Sequence, residues 1–179
     1  MKIWYILQTF FTIPAIISGR LLQPKTDDFS FLNGNWLQIY SSKYIQESTE
    51  IDWDCVDVSI TVDSTNQTVN ITKSAILHNH VNLLIHHTRI YQQGTVNNTL
   101  SLSPIGSNST IVPNLIMKHI EPNYIIITGS DYLTMIVLTR DYASFFESNN
   151  NDALQLLKSF NYTTYYKYPH ISYNPFCME

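Results

Sequence analysis

The sequence predicts an all-β protein: an eight-stranded antiparallel up-and-down β-barrel with one C-terminal α-helix packed outside. Three observations carry that prediction. Apolar and polar residues alternate over most of the chain, with the two-residue period of half-buried strands. The alternating runs recur about every ten to twelve residues and are joined by short turn-rich stretches, as in an antiparallel meander. Only one late stretch, "SNNNDALQLLKSF", has helical spacing instead. Eight strands leave two open edges unless the sheet closes on itself, and closure encloses an interior just large enough for one small ligand.

The chain opens on a leader rather than on a barrel element. Lys2 supplies one positive charge, "IWYILQTFFTIPAII" is an apolar stretch of about 15 residues, and the small pair Ser18-Gly19 follows. A membrane-spanning helix needs roughly 20 apolar residues, and Gln8 and Pro14 interrupt this one. Residues 1–19 therefore read as a secretory signal peptide that is removed, and residues 20–179 as a single domain.

The first strand is expected over residues 36–44, entered through "NGN". "VDVSITVD" is the second, with Val56, Val58, Ile60 and Val62 on one face and Asp57, Ser59, Thr61 and Asp63 on the other. The turn-rich "DSTNQ" joins it in a hairpin to the third, "QTVNITKS", where Val69 and Ile71 face opposite to Asn70 and Thr72. The fourth covers residues 81–91, and "TVNNTLSLS" reads as the fifth, with Val96, Leu100 and Leu102 inside and Asn97 outside. The sixth is expected over 111–120, the seventh over 124–128 and the eighth over 132–139. The last two flank "GSD", a tight turn in which Gly129 is free to take a positive φ. The Asn/Asp-rich start of the late helix caps it, and Ala153, Leu156, Leu157 and Phe160 form a stripe that must be buried against the sheet. A short strand over 162–166 follows, and the tail carries Cys177 back towards Cys55.

Composition narrows the setting. Charged residues are only 13% of the chain, so its surface is made polar by Asn, Thr, Ser and Tyr rather than by charge. A formal net charge of -4, with no run of Lys or Arg, excludes a nucleic-acid-binding patch. Five Asn-x-Ser/Thr acceptors, at Asn66, Asn70, Asn97, Asn108 and Asn161, mark an N-glycosylated secreted protein. Asn70 and Asn97 both fall on the polar phase of their strands. The two cysteines, Cys55 and Cys177, read as one disulfide in an oxidising compartment.

"NGNWLQIY" resembles the Gly-x-Trp signature that opens the first strand of lipocalins. "DYLTMIVLTRD" is similar to that family's last-strand motif, ending in Arg140, and a helix, a short strand and a terminal cysteine follow in the family's order. The resemblance covers about residues 30–178. It implies that Gly34, Trp36 and Arg140 close the blunt end, with the guanidinium lying on the indole face. Cys55 near the second strand and Cys177 near the C-terminus match the disulfide pattern of apolipoprotein D-like lipocalins. "SDY", at 130–132, resembles the family's Thr-Asp-Tyr motif, but it lies one turn too late, and "HIEPNY" stands where that motif belongs.

The function this implies is reversible binding of a small hydrophobic ligand (lipid, fatty acid, sterol, retinoid or pigment) by a monomeric extracellular carrier. Lining candidates are Gln38, Tyr40, Ile60, Leu100, Met117, Tyr124 and Ile126. The alternative is a secreted glycoprotein that acts through a cell-surface receptor or sequesters its ligand; amine sequestration would require carboxylates inside, and the inward faces carry almost none. No cofactor is implied. His78 and His80 share a strand face, but no Cys or carboxylate cluster joins them, so they and His86, His87 and His119 read as polar strand or loop residues rather than metal ligands. No nucleophile elbow or Ser-His-Asp spacing is visible, and both cysteines are committed to the disulfide, so no enzymatic activity is expected.

Overall fold

The structure is a computed structural model that describes residues 29–77, 83–97, 99–106, 112–173 and 177. The leader at 1–19, the acceptor Asn108 and the pair His78 and His80 lie outside the described residues.

Eight strands form a closed antiparallel barrel: β1 Gly34–Ser42, β2 Trp53–Asp63, β3 Thr68–Leu77, β4 Leu83–Val96, β5 Thr99–Pro104, β6 Leu115–Ile120, β7 Tyr124–Gly129 and β8 Met135–Thr139. Each pairs with its sequence neighbour, and β1 closes the sheet by pairing with β8 along Leu37–Ser41 and with β2 along Gly34–Leu37. β2 shows why the chain makes strands: Val56, Val58 and Ile60 are buried while Asp57, Ser59 and Thr61 between them are exposed.

Beyond Leu37, β1 and β2 part company. β1 has a bulge between Gln38 and Tyr40, and β2 another between Asp54 and Asp57, where Cys55 takes a left-handed φ of 54°. The C-terminal segment fills the gap. A ninth strand, β9 Pro169–Ile171, pairs with Tyr40–Ser42. Ser172 then bridges the two strands, its N–H donating to Ile39 O at 2.9 Å and its carbonyl accepting from Val56 N at 3.4 Å. The Cys55–Cys177 disulfide, with Cα atoms 5.3 Å apart, fastens this segment to β2.

The late helix, α2, starts earlier than its composition suggests. It runs as an α-turn over Tyr142–Ser144, a π-wound stretch over Phe145–Asn149 and an α-helix over Asn150–Ser159. Asp141 caps it, accepting from Ser144 N at 3.0 Å. The Asn cluster therefore lies within the helix, and the buried Phe145 precedes it. Ala153 and Leu157 are fully buried against the barrel, with Leu156 and Phe160 packed beside them.

Four other sequence expectations are corrected. The first strand ends at Ser42 and gives way to a short helix, α1 Lys43–Ser48, with Ile45 buried beneath it. "TVNNTLSLS" is the end of one strand and the start of the next, because Asn97 turns the chain at a φ of 50°; Val96 is consequently exposed, while Leu100 and Leu102 are buried. Residues 162–166 form turns, and the late strand is β9 instead. In the β7–β8 turn the positive φ belongs to Tyr132. Gly129 is required for space: a Cβ there would lie 2.5 Å from Asp131 Oδ1 and 2.7 Å from Thr134 Cβ.

Candidate ligand-binding site

The barrel interior has two unlike halves. In the half nearest the start of β1, side chains fill the space: Trp36, Val58, Ile60, Leu102, Ile125 and Ile127 belong to one packed cluster. This end is closed by a 3-10 turn, Ser30–Leu32, whose Leu32 is buried. The Arg140 guanidinium lies 4.1 Å from the centre of the Trp36 ring and donates to the carbonyls of Phe31 and Asn33, both at 2.9 Å. Trp36 Nε1 donates to Leu32 O at 2.8 Å. Gly34 sits at a φ of 112°, and a Cβ there would stand 3.0 Å from Arg140 Nη1. One arginine thus covers the indole and fixes the turn that seals the end.

The opposite half holds a cavity of about 160 Å³. Its floor is apolar, made by Ile71, Tyr91, Leu115 and Ile136, and its mouth is bordered by Tyr44 and Ile45 of α1 and by Trp53. Its wall is polar. Lys73, His87 and Arg89 line it from β3 and β4, Glu50 from the α1–β2 connection, and Asp131 from the β7–β8 turn. Lys73 shares the inward phase of Val69, Ile71 and Ala75, and His87 and Arg89 share that of Tyr91.

Glu50 is only 3% exposed, so its charge must be matched. Lys73 Nζ donates to Glu50 Oε1 at 2.5 Å and to Gln38 Oε1 at 2.6 Å, and Gln38 Nε2 donates to Glu50 Oε2 at 2.7 Å. The network continues into the C-terminal seam, where Gln38 Nε2 reaches Ser172 Oγ at 3.3 Å and Gln46 Nε2 donates to Ser41 Oγ at 3.0 Å. Asp131 is occupied by its own turn, accepting from Leu133 N at 3.0 Å, Thr134 N at 2.9 Å and Thr134 Oγ1 at 2.7 Å. Burial, reinforced by the nearby Arg89 and Lys73 charges, holds the His87 pKa below the usual histidine range. Burial pushes the Tyr91 hydroxyl up.

The seven lining candidates separate into three groups. Gln38 faces inward and anchors the Glu50–Lys73 pair. Ile60, Leu100 and Met117 are buried in the same interior cluster as the cavity floor, but none of them lines the cavity. Tyr40, Tyr124 and Ile126 face outward, in the layer between barrel and α2. For Tyr40 the cause is the β1 bulge, which puts Ile39 and Tyr40 on the same side; its ring meets Phe145 and its hydroxyl donates to Asn150 Oδ1 at 2.8 Å. For Tyr124 and Ile126 the cause is α2, which buries the outer face of β7 as fully as the inner one and leaves no alternation to read. The expectation of an interior almost free of carboxylates is also corrected, since Glu50 and Asp131 enter from connections rather than strands. His87 likewise lines the cavity.

The remaining acceptors have defined settings. Asn66 is exposed in the β2–β3 turn, Asn97 in the β4–β5 turn and Asn161 just past α2, while Asn70 is half-buried on the outer face of β3. Among the described residues no group of three or more His, Cys, Asp or Glu is placed to hold a metal ion, and no helix is long and apolar enough to cross a membrane.

No protein-family model matches the chain, and no curated protein matches it. Solved structures do. Lobster apocrustacyanin A1 is similar with a TM-score of 0.56 at 11% identity, over 85% of this chain and 84% of that one. Apocrustacyanin C1 gives 0.50 at 14% identity, over 73% and 72%. Japanin from Rhipicephalus appendiculatus, bound to cholesterol, gives 0.46 at 10% identity, over 69% and 85%. At this level of identity what is shared is the fold: the chain is a closed eight-stranded antiparallel barrel with its C-terminal helix outside, lipocalin-like in architecture.

Proposed function

We propose that this chain is a secreted, monomeric carrier that binds a small, largely apolar ligand reversibly in the open half of its barrel, an apolipoprotein D-like lipocalin in its disulfide pattern and a binding protein rather than an enzyme. The observation that carries this reading is the cavity itself: an apolar floor under a few fixed polar groups, in a barrel whose other half is packed. The apolar leader, the acceptors at Asn66, Asn70, Asn97, Asn108 and Asn161 and the Cys55–Cys177 bridge support secretion. Native mass spectrometry of protein secreted from a eukaryotic host tests it. A co-purifying small molecule that exchanges with added apolar compounds is expected; protein that is empty and accepts none of them contradicts it.

A second reading, recognition by a cell-surface receptor, draws on one observation. Tyr132 in the β7–β8 turn, and Tyr165, Tyr166 and Tyr168 in the segment bonded to the start of α1, are all more than half exposed. Tyrosines presented in this way are common anchors at protein interfaces. Replacing Tyr165 and Tyr168 by Ser separates the two readings, because it abolishes cell-surface binding under the second and leaves ligand uptake intact under the first.

A further inference from the structure

We propose that the cavity selects an amphipathic monoanion, with a carboxylate head against Arg89 and a short apolar tail on the floor of Ile71, Leu115 and Ile136. The inference rests on the carrier reading and names the ligand class for that same site.

The argument is a charge account of the cavity wall. Glu50 and Lys73 cancel: both Glu50 oxygens and the Lys73 ammonium are engaged within the Gln38–Glu50–Lys73 network. Asp131 keeps its charge, but three hydrogen bonds from neutral donors of its own turn take up most of its acceptor capacity, so it offers a ligand few free lone pairs. Arg89 remains. It is half-buried, points inward between His87 and Tyr91, and forms no ion pair with a carboxylate among the described residues. Its Nε lies 3.5 Å from His87 Nε2, and its guanidinium also contacts the Tyr91 hydroxyl. A guanidinium carries five donors in a planar fork, and these two neighbours cannot match its charge. A carboxylate can, in the paired geometry that makes such contacts strong.

Other head groups fit less well. A protonated amine would meet two carboxylates already engaged and would add a positive charge beside Arg89 and Lys73. A neutral sterol or retinoid would leave the Arg89 fork without a carboxylate bonded to it. Size points the same way. The cavity of about 160 Å³ is smaller than the ~300–1,000 Å³ of sites that enclose drug-sized molecules, and the packed half beneath it offers no extension. A flexible chain of medium length suits the space better than a fused ring system.

The test compares decanoate, decanol and decylamine by isothermal titration calorimetry on the full, disulfide-intact wild-type protein. Decanoate is expected to bind at least about tenfold more tightly than decanol, and decylamine more weakly than either. Arg89→Gln should bring decanoate down to the decanol level, with Lys158→Gln, exposed on α2, as a control that does not. Equal affinities for decanoate and decanol, or a preference for decylamine, overturn the head-group assignment and leave the carrier reading standing. Absence of binding by all three defeats the carrier reading as well. The wild-type series decides the matter without a variant should Arg89→Gln fail to fold.

Discussion

The two ends of the barrel are built from opposite materials. At the closed end apolar side chains fill the interior, and one cation, Arg140, lies across one indole to seal it. At the open end the wall carries an ion pair buried with a glutamine, a cavity, and a C-terminal strand wedged between β1 and β2 and fastened by a disulfide. Packing density gives the closed end its stability and leaves it nothing to bind. The open end keeps space, so the walls of that space must be held by directional contacts: hydrogen bonds, charge and a covalent bond.

That contrast predicts how each end fails. The largest effect is expected at the closed end, where Trp36→Ala should destabilise by about 3–5 kcal/mol, through a cavity the neighbours cannot fill and the loss of the Arg140 contact. Urea unfolding measures it, and a change under about 1 kcal/mol would show that the indole is not the keystone of that end. Next comes the buried ion pair. Lys73→Met strands the Glu50 carboxylate and should cost about 3 kcal/mol, whereas the double variant Glu50→Leu with Lys73→Met should recover most of it. No comparable rescue is expected for Trp36, and equal losses in the single and double variants would erase the distinction between the ends. Arg140→Lys is a smaller change, about 1 kcal/mol, because an ammonium retains the charge but not the planar stack and the fork that holds Phe31 O and Asn33 O.

The smallest effect concerns the outer layer that joins the two ends. Tyr124, on β7, and Tyr162, beyond α2, are both pushed up to about 12, chiefly by burial. Tyr162 also donates to Thr134 O at 2.9 Å. A raised pKa favours the neutral phenol in the folded state. Its contribution is fully present below the ordinary value of 10.0 and is lost as pH rises from there towards 12. Tyrosinate absorbance should therefore show two phenols that ionise only as the fold is lost. Early ionisation of Tyr162 alone would mean that the chain beyond α2 lifts from the barrel without Tyr124.

The sequence was legible where burial has one side. β2 and β3 show their inward residues because their outer faces meet solvent, and Trp36 with Arg140 could be paired from residue type and order. It was illegible where burial has two sides: β7 and β8 are buried throughout because α2 covers them, so Tyr124 and Ile126 gave no phase. The β1 bulge turned Tyr40 outward with no local mark in the sequence. The cavity wall left a signal that a search for apolar lining residues passes over. Lys73 continues the inward phase of Val69 and Ile71, and His87 and Arg89 that of Tyr91. Polar residues in register with a buried face were the better pointer to the site. Glu50 left no such trace, because it enters from a connection whose path depends on α1.

The central claim is that ligand reaches one half of the interior and not the other, and the chain places a tryptophan in each. Trp53 borders the cavity, and Trp36 is buried in the packed half. Tryptophan emission during titration with decanoate tests the claim directly, in the mature wild-type protein and in Trp53→Phe. Quenching in the wild type that disappears in Trp53→Phe, with Trp36 emission unchanged, is the predicted result. Quenching of equal depth in Trp53→Phe would place ligand against Trp36 and contradict the division of the barrel.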